Sequence, residues 1–514
     1  MQRWGVKLGI DFGTTRIIVA AADRGNYPIL DFETPEGTCD WFPSVIATRG
    51  ADIRFGWDAW QAQTQPDWTV LRSVKRHLER SGPATRLVIG NQSFLLTELL
   101  GGLTRALFSA LRARFGPNEP LEAMLGVPAN ANGNQRFLTI DAFQSAGFQV
   151  LGLLNEPSAA AIEYGHRQKM KGLLLVYDLG GGTFDASLVE MEEGVHTVLD
   201  ADGISNFGGD DFDLALAELA AGKEGMYSLL LGEVFRLLEE CRRQKEALHA
   251  NSRRIVVDLD TVREGMGQAT VAVGDFYEAC RPLLDESVRI TARLAAGHDI
   301  GALYITGGGS ELPLVARVLR EEFGRKVKRS EYTRAATAIG LAIQADAASG
   351  YKLREMFHRN FAVWRESDAG ARMILDPIFP RGTRLPSAGE RGITVSRVYR
   401  PTHNVGDFRY LEASHIDENL QPKGDIAVWD EIRFPFDPEL AGTSSLENVH
   451  IHESPGAKTE EIEELYTCDA AGVVTVKIRN LTSNYEREYR LGRWGGKASA
   501  VRPGAGQRAH KASS

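Results

Sequence analysis

The chain has 514 residues, 43% hydrophobic and 25% charged, ordinary proportions for a globular protein with room for about two to four domains. A formal charge of −9 argues against a general nucleic-acid binder, and no apolar run approaches the ~18 residues of a membrane span. Cys39, Cys241, Cys280 and Cys468 form no C-x-x-C pair and suit a reducing compartment; with no signal-like apolar stretch at the start, the expected location is cytoplasmic.

Residues 6–21 read as a hairpin of two apolar strands. Residues 95–115 read as an amphipathic helix, 123–127 as a short buried strand stopped by Pro128, 134–146 as a helix and 148–154 as the next strand. A small-residue helix follows over 158–169, with Pro157 just before its start and Glu163 inside it. The run LLLVYDLGGGTFDASLVEM, 173–191, then repeats the strand–tight turn–strand pattern of LGIDFGTTRIIVA, 8–20. Residues 210–250 are helical except around 222–225; beyond them come two strands, a long helix, and a buried strand, 303–306, that meets Gly307-Gly308-Gly309. The last helices are ELPLVARVLREEFG and an Ala-rich stretch, 333–347. Past Ser349-Gly350 helical periodicity fades into short alternating runs, the pattern of a small antiparallel β domain. The final stretch, 495–514, has no acidic residue and reads as a disordered basic tail.

The two similar turns carry the chemistry. Each has an Asp at the strand end and Gly-Thr in the turn: Asp11 with Gly13, Thr14 and Thr15, and Asp178 with Gly180, Gly181, Gly182 and Thr183. Glycines let backbone N–H groups approach phosphate oxygens, and threonine adds a hydroxyl donor. Asp11 and Asp178 can hold Mg²⁺ through its water shell, because Mg²⁺ prefers oxygen ligands and keeps several waters. The plainer alternative is two hairpins whose Asp and Gly serve only the turns. One such turn would be weak evidence; the repetition favours a duplicated polyphosphate clamp.

Around these turns the chain resembles the 70-kilodalton heat-shock chaperone family, within the actin/hexokinase-type ATPases, through most of residues 6–345. LLNEPSAAAIEYG (153–165) is similar to the helix connecting the family's two ATPase lobes, FGGDDFD (207–213) to its post-phosphate loop, and VPANANGNQR (127–136) to its VPA strand and the helix after it. WTVLRSVKRHLER (68–80) resembles the segment bearing the catalytic lysine, which puts that role on Lys75. More faintly, ILDPIFPRGTRLP and CDAAGVVTVKIRN are similar to the start and end of the family's peptide-binding β-sandwich.

The resemblance implies an α/β fold: an actin-like ATPase domain of two ribonuclease-H-like lobes, followed by a small antiparallel β domain. It places a nucleotide-binding domain at 1–348, a linker at 349–365, a substrate-binding β domain at 366–494 and the tail at 495–514. It implies ATP or ADP with Mg²⁺, bound by Gly13, Thr14, Thr15, Gly180, Gly181, Gly182, Thr183, Gly208, Gly209, Lys245, Gly307 and Gly308. Lys75, Glu156, Asp178 and Thr183 would carry slow hydrolysis, Lys75 by stabilising charge on the transferring phosphoryl group and Glu156 by positioning water. As alternatives, Lys75 would be a solvated helix lysine, Glu156 a helix N-terminal charge, and Asp185, in the second turn, a residue that only satisfies backbone donors. Implied partners are unfolded peptide segments or one dedicated protein, with a J-domain protein or exchange factor left open, and neither nucleic acid nor membrane.

The departures from the family pattern are local. Family members usually place an Arg against the adenine soon after the third Gly loop; here Glu311 stands there. An acidic residue is replaced by Arg242, a later polar contact by His249, and an Asp near the end of the pocket by Arg334. The phosphate side is therefore expected to be conventional and the base side weaker or less adenine-selective. The segment between Trp57 and Pro128 is shorter than in the family and YKLREMFHRNFAVW replaces the acidic, leucine-rich linker; the expectation is a member without the family's helical lid. Three other functions compete: a non-catalytic nucleotide sensor or scaffold presenting its β domain to a partner, a small-molecule kinase, and an actin-type filament.

Overall fold

Val6–Phe12 (β1) alternates large apolar residues with Lys7, Gly9 and Asp11, Arg16–Ala21 (β2) is a continuous apolar run after its arginine, and in the computed structural model they pair antiparallel with Asp11 opposite Ile18. The structure describes residues 5–491, apart from 35–36, 64, 66, 83, 368–371, 387–389, 444 and 471; the expected basic tail, 495–514, lies outside the described residues. Two units emerge, one of residues 1–131 and 138–354, the other of residues 132–137 and 355–514.

The first unit holds two lobes, each built on one sheet. In the first lobe the sheet contains Phe42–Pro43 (β3), Leu121–Val127 (β4) and Gln149–Asn155 (β5) in the order β5-β4-β1-β2-β3, with β1 parallel to β4. The amphipathic Leu96–Phe115 (α1) buries Leu96, Leu99, Leu100, Leu103, Leu107 and Leu111 along one stripe. The second lobe contains Gly172–Leu179 (β6), Phe184–Glu192 (β7), Val195–Ile204 (β8), Ile300–Thr306 (β9), Val327–Arg329 (β10) and Lys352–Arg354 (β11). Their order is β10-β9-β6-β7-β8-β11, and β6, the strand that ends in Asp178, is central and runs parallel to β9.

Burial on both faces explains why β6 reads as a continuous apolar run: Leu174, Leu175, Val176, Tyr177 and Leu179 are all fully buried. Around this sheet pack Gly209–Ala221 (α3), Leu231–Glu246 (α4), Val273–Ala295 (α5) and Pro313–Phe323 (α6), and their cores merge into one cluster with it.

Glu156–Gln168 (α2) and Ala336–Ala345 (α7) pack against each other, and their small residues are what allow it. A Cβ on Gly340 would sit 1.8 Å from the Ala159 carbonyl oxygen, and one on Gly9 would sit 2.2 Å from the Ala338 carbonyl oxygen and the Ala342 nitrogen. Bulk at either position would force the helices and β1 apart.

The segment 349–365, expected as a linker, is largely ordered strand. Lys352–Arg354 pairs with β8, and Asn360–Ser367 (β12) begins the second unit. That unit continues with Arg372–Phe379 (β13), Ile393–Tyr399 (β14), Val405–Ile416 (β15), Pro422–Pro435 (β16), Ile462–Cys468 (β17), Val474–Asn480 (β18) and Tyr485–Arg490 (β19). They form two four-stranded antiparallel sheets, β13-β12-β15-β16 and β14-β17-β18-β19. Phe361, Tyr410, Trp429, Phe434, Tyr466 and Ile478 belong to a shared core cluster, as expected for a sandwich. Inside it Arg365 of β12 donates from both terminal nitrogens to Glu464 of β17, at 3.0 and 2.8 Å, so a fork-shaped ion pair links the two sheets.

Candidate active site

Both Asp-Gly-Thr turns open into one cleft of the first unit, which encloses about 810 Å³ including space open to solvent. Asp11, Gly13, Thr14 and Thr15 line it from the first lobe, and Asp178, Gly180, Gly181 and Thr183 from the second. The second turn is tied down by backbone hydrogen bonds: the Gly180 N–H donates to the Thr183 carbonyl at 2.9 Å, and the N–H groups of Gly209 and Asp210 donate to the carbonyls of Gly180 and Gly181 at 2.9 and 2.7 Å. This close approach excludes side chains. A Cβ on Gly208 would lie 2.6 Å from the Gly181 carbonyl, so Gly208 and Gly182 support the turn, while Gly209 faces the cleft. Gly307 also lines the cleft, in the left-handed region at φ +84°, where a Cβ would meet the Leu179 carbonyl oxygen at 2.3 Å and Asp178 Oδ1 at 2.4 Å.

The floor of the cleft is acidic around a single lysine. Lys75 and Glu156 are both buried and paired at 2.5 Å. Burial disfavours charge on Lys75, but the carboxylates of Glu156 and Asp11 overcome it and hold the ammonium protonated above its usual range. The carboxylates respond the other way. Burial, reinforced by the charge of Glu156 and only partly opposed by Lys75, pushes Asp11 and Asp185 up to about 7. Asp178 is raised well above its ordinary value by burial, then by Glu156, Asp11 and Asp185. Asp185 also accepts from the Ala129 N–H at 2.9 Å, so it joins the electrostatic cluster as well as capping a backbone donor.

This floor has more buried negative charge than Lys75 can balance, the condition under which a divalent cation is welcome. Among the described residues no three His, Cys, Asp or Glu side chains converge to hold a metal directly. Asp11 and Asp178 therefore fit an ion bound mainly by water and ligand oxygens, as Mg²⁺ prefers.

Lys75 is positioned by a strained turn. It lies in the 3₁₀ segment Val74–Arg80, preceded by Ser73 in the left-handed region at φ +59°. Ser73 Oγ donates to Asp210 of the other lobe at 2.7 Å, Arg76 pairs with Asp211 at 2.9 Å, and Arg72 reaches Glu239 at 3.2 Å. These bonds hold the lysine turn across the cleft from the second lobe.

The far end of the cleft is built differently. Arg16 Nη2 donates to both oxygens of Glu246, at 3.0 and 2.8 Å, and its guanidinium lies 4.9 Å over the Trp41 ring. Arg334 Nε donates to Glu311 at 2.7 Å, and its Nη2 donates to Glu311 and, at 3.3 Å, to Glu246. Arg242 pairs with Glu239 and lies over Trp60. The guanidiniums of Arg16 and Arg334, with weaker help from Arg242, outweigh burial and hold the Glu246 carboxyl down to about 2. Glu311 and Arg334, two of the departures from the family pattern, are thus partners of opposite sign.

Fourteen of the sixteen expected site residues line the cleft together; Gly182 and Gly208 stand just behind it. Lys245 is engaged within the protein, paired with buried Asp213 at 2.6 Å and donating to the Gly209 carbonyl at 2.7 Å. Arg16, Glu246, Asp210 and Asp213 also belong to the cleft or its supports and were not anticipated. Available signals were Arg16 immediately after Thr14-Thr15, and Glu246 immediately after Lys245 with the opposite sign.

Residues 118–360 match the family described as "Hsp70 protein". A chaperone protein HscA homolog of Laribacter hongkongensis is 31% identical over 75% of this chain and 66% of its own length, about two thirds of that relative. Another, from Chromobacterium violaceum, is 31% identical over 91% of this chain and 81% of its own. The chaperone protein DnaK of Deinococcus radiodurans is 28% identical over 93% and 78%.

Proposed function

The chain belongs to the 70-kilodalton heat-shock family, and from that premise we propose an ATP-driven chaperone whose hydrolytic centre is the acidic floor around Lys75. The observation that carries this reading is the buried cluster of Asp11, Glu156, Asp178 and Asp185 around one lysine, faced by two glycine–threonine turns. The turns supply backbone and hydroxyl donors to a polyphosphate from both sides of the cleft. Lys75 neutralises charge that develops on the transferring phosphoryl group, and Glu156 fixes the ammonium and orients the attacking water. Thr183 adds a hydroxyl donor at the second turn. Asp11 and Asp178 would hold Mg²⁺ through its waters, and the ion would screen charge between the phosphoryl groups.

Single-turnover hydrolysis of Mg-ATP tests the assignment. Lys75→Ala is expected to slow the step by about 10²–10³-fold, the scale of losing one transition-state stabiliser, and Thr183→Ala by a smaller factor. Equal background rates in wild type and both variants would defeat it.

In this reading the β unit is the client-binding part, taking extended peptide segments or one dedicated protein, with a J-domain protein or exchange factor as candidate regulators. Fluorescence anisotropy of labelled extended peptides with the full chain, with and without ATP, tests this; no binding in either state would remove the peptide-binding role. Four cysteines without disulfides support a reducing, cytoplasmic setting. Among the described residues no helix is long and apolar enough to cross a membrane.

A further inference from the structure

The anchors of Lys75 and the second phosphate turn lie on different lobes. Glu156 and Asp11, the carboxylates that hold its ammonium, follow β5 and end β1 of the first lobe. Gly180 to Thr183 join β6 to β7 of the second. A phosphate held between the two turns is therefore met by Lys75 in the right place only if something registers the lysine against the opposite lobe. The tolerance is narrow, since a displacement of about 1 Å can cost about 10²-fold in rate.

Two neighbours of the lysine supply that register, and each reaches a residue that grips the second turn. Ser73 Oγ donates to Asp210 at 2.7 Å, and the Asp210 N–H donates to the Gly181 carbonyl at 2.7 Å. On the other side of Lys75, Arg76 Nη2 donates to Asp211 Oδ2 at 2.9 Å. The same oxygen accepts from the Gly208 N–H at 2.8 Å, and Gly208 is the residue packed under Gly181. Arg76 also packs against the turn itself. A Cβ on Gly182 would lie 2.6 Å from Arg76 Nε and 2.7 Å from Thr14 Cγ2, so the guanidinium meets the first and second turns at one point.

The plainer alternative is a surface ion pair, which contributes little. Two observations weigh against it. The side chains of Arg76 and Asp211 are only 24% and 25% exposed, and the acceptor is shared with a backbone donor that fixes its position. Arg76 stands behind the cleft lining rather than in it, so its influence runs through what it holds.

We propose that Arg76 is a positioning residue for hydrolysis, which through Asp211 and Gly182 sets the lysine turn at its working distance from the second phosphate turn. The role rests on the hydrolytic reading of this cleft and extends it to a residue outside the lining.

Single-turnover hydrolysis and equilibrium binding of Mg-ATP by the full chain test it, in Arg76→Met, Asp211→Asn and the double variant, with Lys75→Ala as reference. Asp211→Asn is the milder change, because asparagine keeps an acceptor for the Gly208 N–H while the ion pair is lost. Each single variant should slow hydrolysis by about 10- to 100-fold while ATP affinity moves by less than about threefold. The double variant should be no slower than the slower single, since both remove one link. Single variants within about twofold of the wild-type rate, beside a much slower Lys75→Ala, would overturn the positioning role and leave the hydrolytic reading standing. Losses that multiply in the double variant would also overturn it, as would ATP affinity falling in step with the rate. Equal background rates in wild type and Lys75→Ala would remove the hydrolytic reading and the positioning role with it.

Discussion

The two ends of the cleft handle buried charge in opposite ways. At the phosphate end, Asp11, Glu156, Asp178 and Asp185 share one lysine, and three of the four hold their protons far above the ordinary carboxylate range. At the other end every charge has a partner, and Glu246 sits far below that range. Both ends are built from salt bridges, so a count of ion pairs would not tell them apart. What separates them is the balance of sign: an unbalanced cluster is poised for a cation and its ligand, whereas a balanced one is already satisfied and offers shape and surface.

The strongest way to break this contrast is to remove one cation from each end of the ligand-free protein. Lys75→Met leaves four carboxylates without their cation and is expected to cost about 3–5 kcal/mol of stability at pH 8, the scale for stranding a buried charge. At pH 5 the loss should be smaller, because Asp11, Asp178 and Asp185 are then protonated. Arg16→Met should cost far less and show little change between pH 5 and 8, since Glu246 keeps Arg334. Equal losses with equal pH profiles, measured by urea unfolding, would mean that the two ends are electrostatically alike.

The unaltered protein should report the same contrast through the sign of its pH dependence. Asp11 and Asp185 go from 3.8 to about 7 on folding. Between these values the folded state holds protons that the unfolded state has released, so stability falls as pH rises from about 4 to 7, and the loss is complete above 7. Each group contributes up to about 4 kcal/mol. Glu246 acts oppositely: its contribution is present above about 4.5 and is lost as pH falls toward 2. Saturating Mg-nucleotide should flatten the slope between 4 and 7 and leave the acid limb. A rise in ligand-free stability across pH 5–7 that nucleotide fails to alter would contradict the unbalanced floor.

The same contrast explains how much of the site could be read from the chain. The phosphate end is assembled from short contiguous segments, because a turn that brings backbone N–H groups to phosphate needs glycine and threonine side by side; DFGTT and DLGGGTFD therefore carry their own geometry. Lys75 was found through the segment around it, and its pairing with Glu156 needed the fold, since 81 residues separate them. The other end has no local signature. Arg16 and Glu246 are 230 residues apart, and Glu311 and Arg334 look like two unrelated losses until the fold shows one holding the other. Lys245, matched by position to an adenosine contact, lines the cleft and is also bound to Asp213, a partner 32 residues before it that only the packing of α3 on α4 brings near. The strand pairing of Lys352–Arg354 was hidden for a related reason: three residues are too few to show alternation, and their register is set by β8.

The smallest expected effect comes from making the balanced end resemble the unbalanced one. Glu246→Gln keeps the shape of the side chain and an acceptor oxygen but removes the charge shared by Arg16 and Arg334. Arg334 retains Glu311, so the local structure should hold; Arg16 loses its ion-pair partner and the cleft mouth becomes more positive. A polyphosphate approaching the cleft would then meet a more attractive field, and association, the step that long-range charge governs, should accelerate by about two- to fivefold at low salt. Because a Debye length is about 10 Å at 0.1 M salt and about 3 Å at 1 M, the gain should disappear at high ionic strength. Stopped-flow binding of tripolyphosphate and of ATP across that range would separate the effects. A gain equal for both ligands at low salt would be purely electrostatic steering, whereas slower dissociation of ATP alone would show that Glu246 also acts on the nucleoside, beyond balancing Arg16 and Arg334.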